Sequence, residues 1–181
     1  LRGAFGGVLQ EFLSQKSQEE WIIVTADTAA SAGLSRLKSS CPKNFVECGI
    51  AEQTAVGVAT GLALEGKIVY VGSFSPFIIG RAWEQLRLAS YMKANLTVFG
   101  FGAGFGLSYL GYTHCSLEDV ELISSIPGTT IFEPSTPLDI LEAIQQCEKI
   151  NGLKYIRLTG DGPIDKGLFK AFARIGPDVK H

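Results

Sequence analysis

Short apolar, β-branched runs alternate with helix-patterned segments along nearly the whole chain, and few architectures accept that rhythm. The runs "EWIIVTAD" (20–27), "NFVECG" (44–49), "KIVYVGS" (67–73), "LTVFGFG" (96–102), "TTIFEP" (129–134) and "KYIRLTG" (154–160) read as strands. Helices are predicted over about 51–65, 76–93, 117–125 and 136–150, with a weaker one near 30–39 and an amphipathic one at the start of the chain. "STPLDI" offers Ser135 or Thr136 as an N-cap with Pro137 in the first turn, and Ser116 precedes "LEDVELI". Near-continuous apolar strands separated by helices predict an α/β fold: a doubly wound, mainly parallel six-stranded sheet with helices on both faces. In such folds ligands bind beyond the carboxyl ends of the strands. Asp27, Glu52, Ser73, Phe74, the glycine loop from Gly100 and Arg157 all fall there.

Glu52 poses the sharpest question. It stands in "FVECGIAEQTAVGVATGLALEG" (45–66), a run of small and apolar residues. Burying a lone carboxylate costs several kcal/mol unless a partner meets it or it takes up a proton. One reading makes it a helix-start charge in the field of the dipole. The other makes it an acid facing a ligand.

The 181 residues suffice for one domain with a substantial core. A formal net charge of −2, with no long basic or acidic run, argues against nucleic acid or an anionic membrane as the main partner. No apolar run approaches the ~20 residues of a membrane helix. Cys41, Cys48, Cys115 and Cys147 lie far apart without a CxxC pair, so reduced thiols in a cytoplasmic setting are expected rather than a zinc cage or disulfide framework. Cys115 adjoins His114, but neighbouring side chains usually diverge, which disfavours a thiol–imidazole pair.

The phosphate-binding motifs fail on their spacing. In "GFGAGFG" (100–106) the third glycine of a dinucleotide fingerprint would fall on Phe105 or Leu107, and the loop follows the fourth strand rather than the first. Glycines serving positive φ and close backbone approach explain it better. "TGDGP" (159–163) suggests a metal–diphosphate turn, but no asparagine follows it, so no metal ligand is assigned to this chain.

At "ECGIAEQTAVGVATGLALEG" the sequence resembles the pyrimidine-binding domain of the transketolase family of thiamine-diphosphate enzymes, including the similar domain of deoxyxylulose-phosphate synthase, a likeness that spans roughly residues 20–160. The likeness runs in the same order through "TADTAAS" (25–31), "GSFSPFIIGRAWEQLR" (72–87), "YTH" (112–114) and "IFEPST" (131–136). It implies that Glu52 hydrogen-bonds N1′ of the aminopyrimidine and so favours the tautomer that activates the cofactor. It further implies that Phe74 and Phe77 pack on that ring, although at i, i+3 they also suit an ordinary core. Asp27 matches an acidic residue near the thiazolium; a strand-end aspartate capping the next turn is the alternative. His114 matches a histidine facing the substrate, and Arg157 is the arginine available for a substrate phosphate.

Some positions depart from the family pattern. Leu110 stands where an acidic residue is expected, Gly102 where a histidine is, Gly80 where a third aromatic is, and Cys115 where a glutamine is. These losses fall on the substrate side and suggest a changed acceptor, such as a non-phosphorylated sugar. The resemblance also implies a diphosphate-binding subunit or domain that carries Mg2+ and joins this chain in a homo- or hetero-oligomer. Residues 1–160 are then the pyrimidine-binding domain, and 161–181 a linker toward a missing carboxy-terminal domain. Transfer of two-carbon ketol units between sugars is the implied reaction. Two alternatives share these residues, a catalytically inactive interaction domain and the β subunit of a 2-oxoacid dehydrogenase. A third, a generic nucleotide-binding module, would need no partner.

Overall fold

The computed structural model describes residues 1–159. Strands β1 (Trp21–Thr25), β2 (Phe45–Glu47), β3 (Ile68–Phe74), β4 (Leu96–Ala103), β5 (Thr130–Phe132) and β6 (Leu153–Thr159) form one sheet in the order β2-β1-β3-β4-β6-β5. Every neighbouring pair is parallel, as the alternating pattern predicts. β4 lies at the centre and all eight of its residues are buried. The expected linker at 161–181 lies outside the described residues.

Helices cover both faces. On one, α3 (Glu52–Leu64), α4 (Trp83–Tyr91) and α5 (Asp119–Ser124) bury Val56, Leu86 and Ile123 against Val71 and Val98 of the sheet. On the other, α1 (Arg2–Leu13), α2 (Ser35–Ser40) and α6 (Pro137–Lys149) bury Leu9, Leu37 and Ile144 against Ile23 and Phe99. Thr136 caps α6 in a full capping box with Asp139, which selects it over Ser135. Ser116 does not cap α5: that helix starts later, at Asp119, after an N-cap residue, Glu118, whose side chain makes no cap bond.

The segment predicted as one helix over 76–93 is two. Residues Pro76–Arg81 form a π-helical turn, Ala82 leaves helical geometry, and α4 follows. The wider turn keeps Ile78 and Ile79 fully buried while leaving Phe77 half-buried and Arg81 exposed. The glycine-rich stretch is likewise part strand, part loop. Gly100 lies in β4 where a Cβ would collide with Ser75 Oγ and Tyr155 Oη at 2.6 and 2.7 Å, and Gly102 takes a φ of +71° at an irregularity in the β4–β6 register.

At the opposite, amino-terminal edge of the sheet, Lys154 is 1% exposed and donates to Asn95 Oδ1. Burial pulls its ammonium down to about 8, against a smaller upward pull from Cys147. Between that value and the usual lysine range the unfolded chain binds the proton more readily. Lys154 therefore destabilises the fold below about pH 8, and the penalty fades as pH rises toward its unfolded value. Lys154→Met should stabilise the chain by on the order of 1–2 kcal/mol at neutral pH and by progressively less above about pH 8, measured by urea unfolding of both proteins across that range.

Candidate active site

Successive connections leave β1 and β3 toward opposite edges of the sheet, so the crevice between their carboxyl ends is the topological switch point. Glu52 stands there, in the first turn of α3. Its side chain is 1% exposed. Ser73 Oγ, near the end of β3, donates to Oε1 at 3.2 Å, and Arg81 Nη1 donates to Oε2 at 2.8 Å. Both carboxylate oxygens thus act as acceptors. Sequence reasoning misses Arg81, although it lies four residues after Phe77, a spacing that brings side chains together along one helical face.

Phe74 ends β3 and packs tilted on Phe101 with ring centroids 4.5 Å apart. Phe77 meets Phe74 edge-on at 6.0 Å. His114 contacts both rings edge-on, at 5.8 Å from Phe74 and 5.2 Å from Phe77, while the Arg81 guanidinium carbon sits 4.5 Å from the Phe77 centroid. Glu52, Phe74, Phe77 and His114 are therefore linked through direct contacts and Arg81, although 62 residues separate the first from the last. Two cavities, of about 460 and 250 Å³, lie elsewhere and are lined by none of these four residues.

Asp27 and Arg157 do not join this cluster through the contacts observed. Asp27 is exposed with φ +58°, and its amide donates to Glu47 Oε1 at 2.8 Å. Glu47 also accepts from Thr25 and Lys38; although burial pushes its carboxyl up, these bonds together hold it below the ordinary range. Arg157 lies within β6, paired in register with Gly100, and all three of its nitrogens are engaged internally. Nε donates to Asp119 Oδ2 at 2.8 Å, Nη1 to Glu133, and Nη2 to the Ser116 carbonyl at 3.2 Å. Tyr155 donates to the same Asp119 oxygen at 2.8 Å and bonds with Ser75 at 3.2 Å.

The arginine expected to meet a substrate phosphate is thus a strut. Through Ser116, which bridges to Gly104 by two backbone hydrogen bonds, it fixes the base of the loop carrying His114. Nothing in the sequence joins Asp119 and Glu133 to Arg157, because the three meet only when α5, β5 and β6 pack.

The sequence profile described as "Transketolase, pyrimidine binding domain" matches residues 1–159. The chain belongs to that family. It is 32% identical over 159 residues, 87% of its length, to a putative transketolase C-terminal section of Methanocaldococcus jannaschii, covering 50% of that protein. It is 34% identical over 155 residues to one subunit of the apulose-4-phosphate transketolase of Actinobacillus succinogenes, covering 84% of this chain and 50% of the relative. Among solved structures, a split-gene transketolase described as an inactive beta4 tetramer superposes with a TM-score of 0.76 at 32% identity, covering 91% of this chain and 52% of that one. The chain thus spans about half the length of these transketolase relatives.

Arg157→Met should leave the buried Asp119 carboxylate without its cation and cost about 3–5 kcal/mol of stability. Chemical denaturation together with amide hydrogen exchange should show the largest loss of protection at residues 104–116. Uniform loss across the sheet would refute the strut role.

Proposed function

We propose that this chain is the pyrimidine-binding half of a thiamine-diphosphate-dependent, transketolase-like transferase. The carrying observation is Glu52: a carboxylate 1% exposed, at the switch point of the sheet, beside two half-buried aromatic rings and a histidine. These residues fit an aminopyrimidine. Glu52 would hold or share a proton at the ring nitrogen, and Phe74 and Phe77 would offer apolar contact to the flat heterocycle. His114, pinned between the two phenyl edges with Thr113 Oγ1 3.1 Å from Nδ1, would orient a reacting oxygen of the substrate or relay its proton. Asp27, exposed at the end of β1, is placed near the thiazolium in this reading. When bound, thiamine diphosphate supplies the nucleophilic carbon that carries a two-carbon ketol unit.

The diphosphate and Mg2+ are assigned to a partner subunit or domain. Support comes from relatives described as a transketolase C-terminal section and as one subunit of a transketolase, and from the loops beside the site, where Ile50, Phe105, Tyr109 and Tyr112 are exposed. The relative described as an inactive beta4 tetramer supports the same view, since this chain is then inert without its partner. Small sugars are the proposed substrates. Because every nitrogen of Arg157 is engaged within the protein, a phosphate on the acceptor would have to be recognised elsewhere, and a non-phosphorylated acceptor suits this surface. Four unpaired cysteines accord with a cytoplasmic location.

A second reading, an interaction domain without catalysis, draws on the arginine that occupies Glu52. Glu52→Gln separates the two when the full chain is assayed with its diphosphate-binding partner and thiamine diphosphate. The enzyme reading expects turnover to fall at least a hundredfold, about the scale of losing one proton-transfer group, with the melting temperature little changed. Unaltered turnover, or none in either protein, would sink it.

A further inference from the structure

The Arg81 guanidinium is a flat, nitrogen-rich cation held by two contacts. It donates to the buried Glu52 carboxylate at 2.8 Å and covers the Phe77 ring at 4.5 Å. A planar heterocycle recognised by Glu52 and Phe77 would need the same two contacts in the same place. We propose that Arg81 is an internal stand-in for that ring, occupying its seat in the unliganded chain and leaving when the ring arrives. The inference rests on the proposed aminopyrimidine site and adds to it a residue that competes for it.

The two ends of the ion pair are unequal. Glu52 is 1% exposed, whereas the Arg81 side chain is 47% exposed and can reach water by rotation of its own torsions. Its backbone is held separately: Gln53 Nε2 donates to the Arg81 carbonyl at 3.2 Å, and the preceding π-turn buries Ile78 and Ile79. The guanidinium can thus swing out without disturbing the turn that carries Phe77. Its departure would strand a buried carboxylate, so it leaves only in exchange for another donor. The seat therefore selects flat ligands that present an N–H or a shared proton to Glu52 and a π-face to Phe77. Ligands lacking that donor are rejected even when their shape fits.

The test uses the full chain and a probe that needs no diphosphate site, 4-amino-5-hydroxymethyl-2-methylpyrimidine, titrated by NMR and calorimetry. Arg81→Ala should bind the probe about tenfold more tightly than the unaltered chain, because the seat no longer has to be vacated. The double variant Arg81→Ala with Glu52→Gln should lose that gain. Arg81→Gln, which keeps an amide donor but neither the charge nor the stacked fork, should fall between the two, and it decides the question if the alanine variant does not fold. Equal or weaker binding after removal of the guanidinium, or no binding in any variant, overturns the proposal. If the stand-in fails in this way while Glu52→Gln still abolishes turnover in the assembled enzyme, only the role of Arg81 falls. If turnover is also indifferent to Glu52, the aminopyrimidine site itself falls.

Discussion

Glu52 is held out of water by the first turn of α3, and its oxygens must find donors within the protein. Those donors come from β3, through Ser73, and from the π-helical turn that follows it, through Arg81. The carboxylate thereby ties a helix on one side of the switch point to a strand and turn on the other. The same turn carries Phe77, and Phe74 ends the same strand. One short stretch of chain, Ser73 to Arg81, thus supplies both rings of the aromatic wall and both donors to the acid.

A second network works behind the first. Asp119, Arg157, Tyr155 and Ser75 join α5, β6 and the start of the π-turn in a buried set of hydrogen bonds. Gly100 makes room for it, since a side chain there would meet Ser75 and Tyr155. The network reaches Ser116 and Gly104, the base of the loop that presents His114 to the two phenyl edges. The buried charge pair is a support under the loop that carries His114, and each of its guanidinium nitrogens is engaged within the protein. Ion pairs of this kind add little stability over apolar packing of the same shape, yet cost much when one partner is lost.

Much of the fold is legible in the chain. All six strands lie within the predicted stretches or one residue beyond them, because strands buried on both faces leave near-continuous apolar runs, and α6 announces itself with its threonine, proline and aspartate. The break at Ala82 is not legible. Residues 76–93 carry a helical pattern throughout, and the extra residue of a π-turn leaves no mark on composition or period. Of the site, Glu52, Phe74, Phe77 and His114 are expected from the sequence and are found in one linked cluster, whereas Arg157, expected as a ligand-facing cation, is bound internally.

What the sequence determined by itself was therefore the layer architecture, the end of the sheet where the candidate residues gather, and the residue types found there. Periodicity and chain order are local properties, and the parallel topology follows from them almost without choice. Only the tertiary structure decided which charge meets which. Arg81 and Arg157 are alike as letters in a sequence, but one lies over a phenyl ring against Glu52 with half its surface in water, and the other is clasped by two carboxylates beneath a loop. A charged side chain takes its role from the partners and the solvent around it, and those are fixed only when distant segments pack.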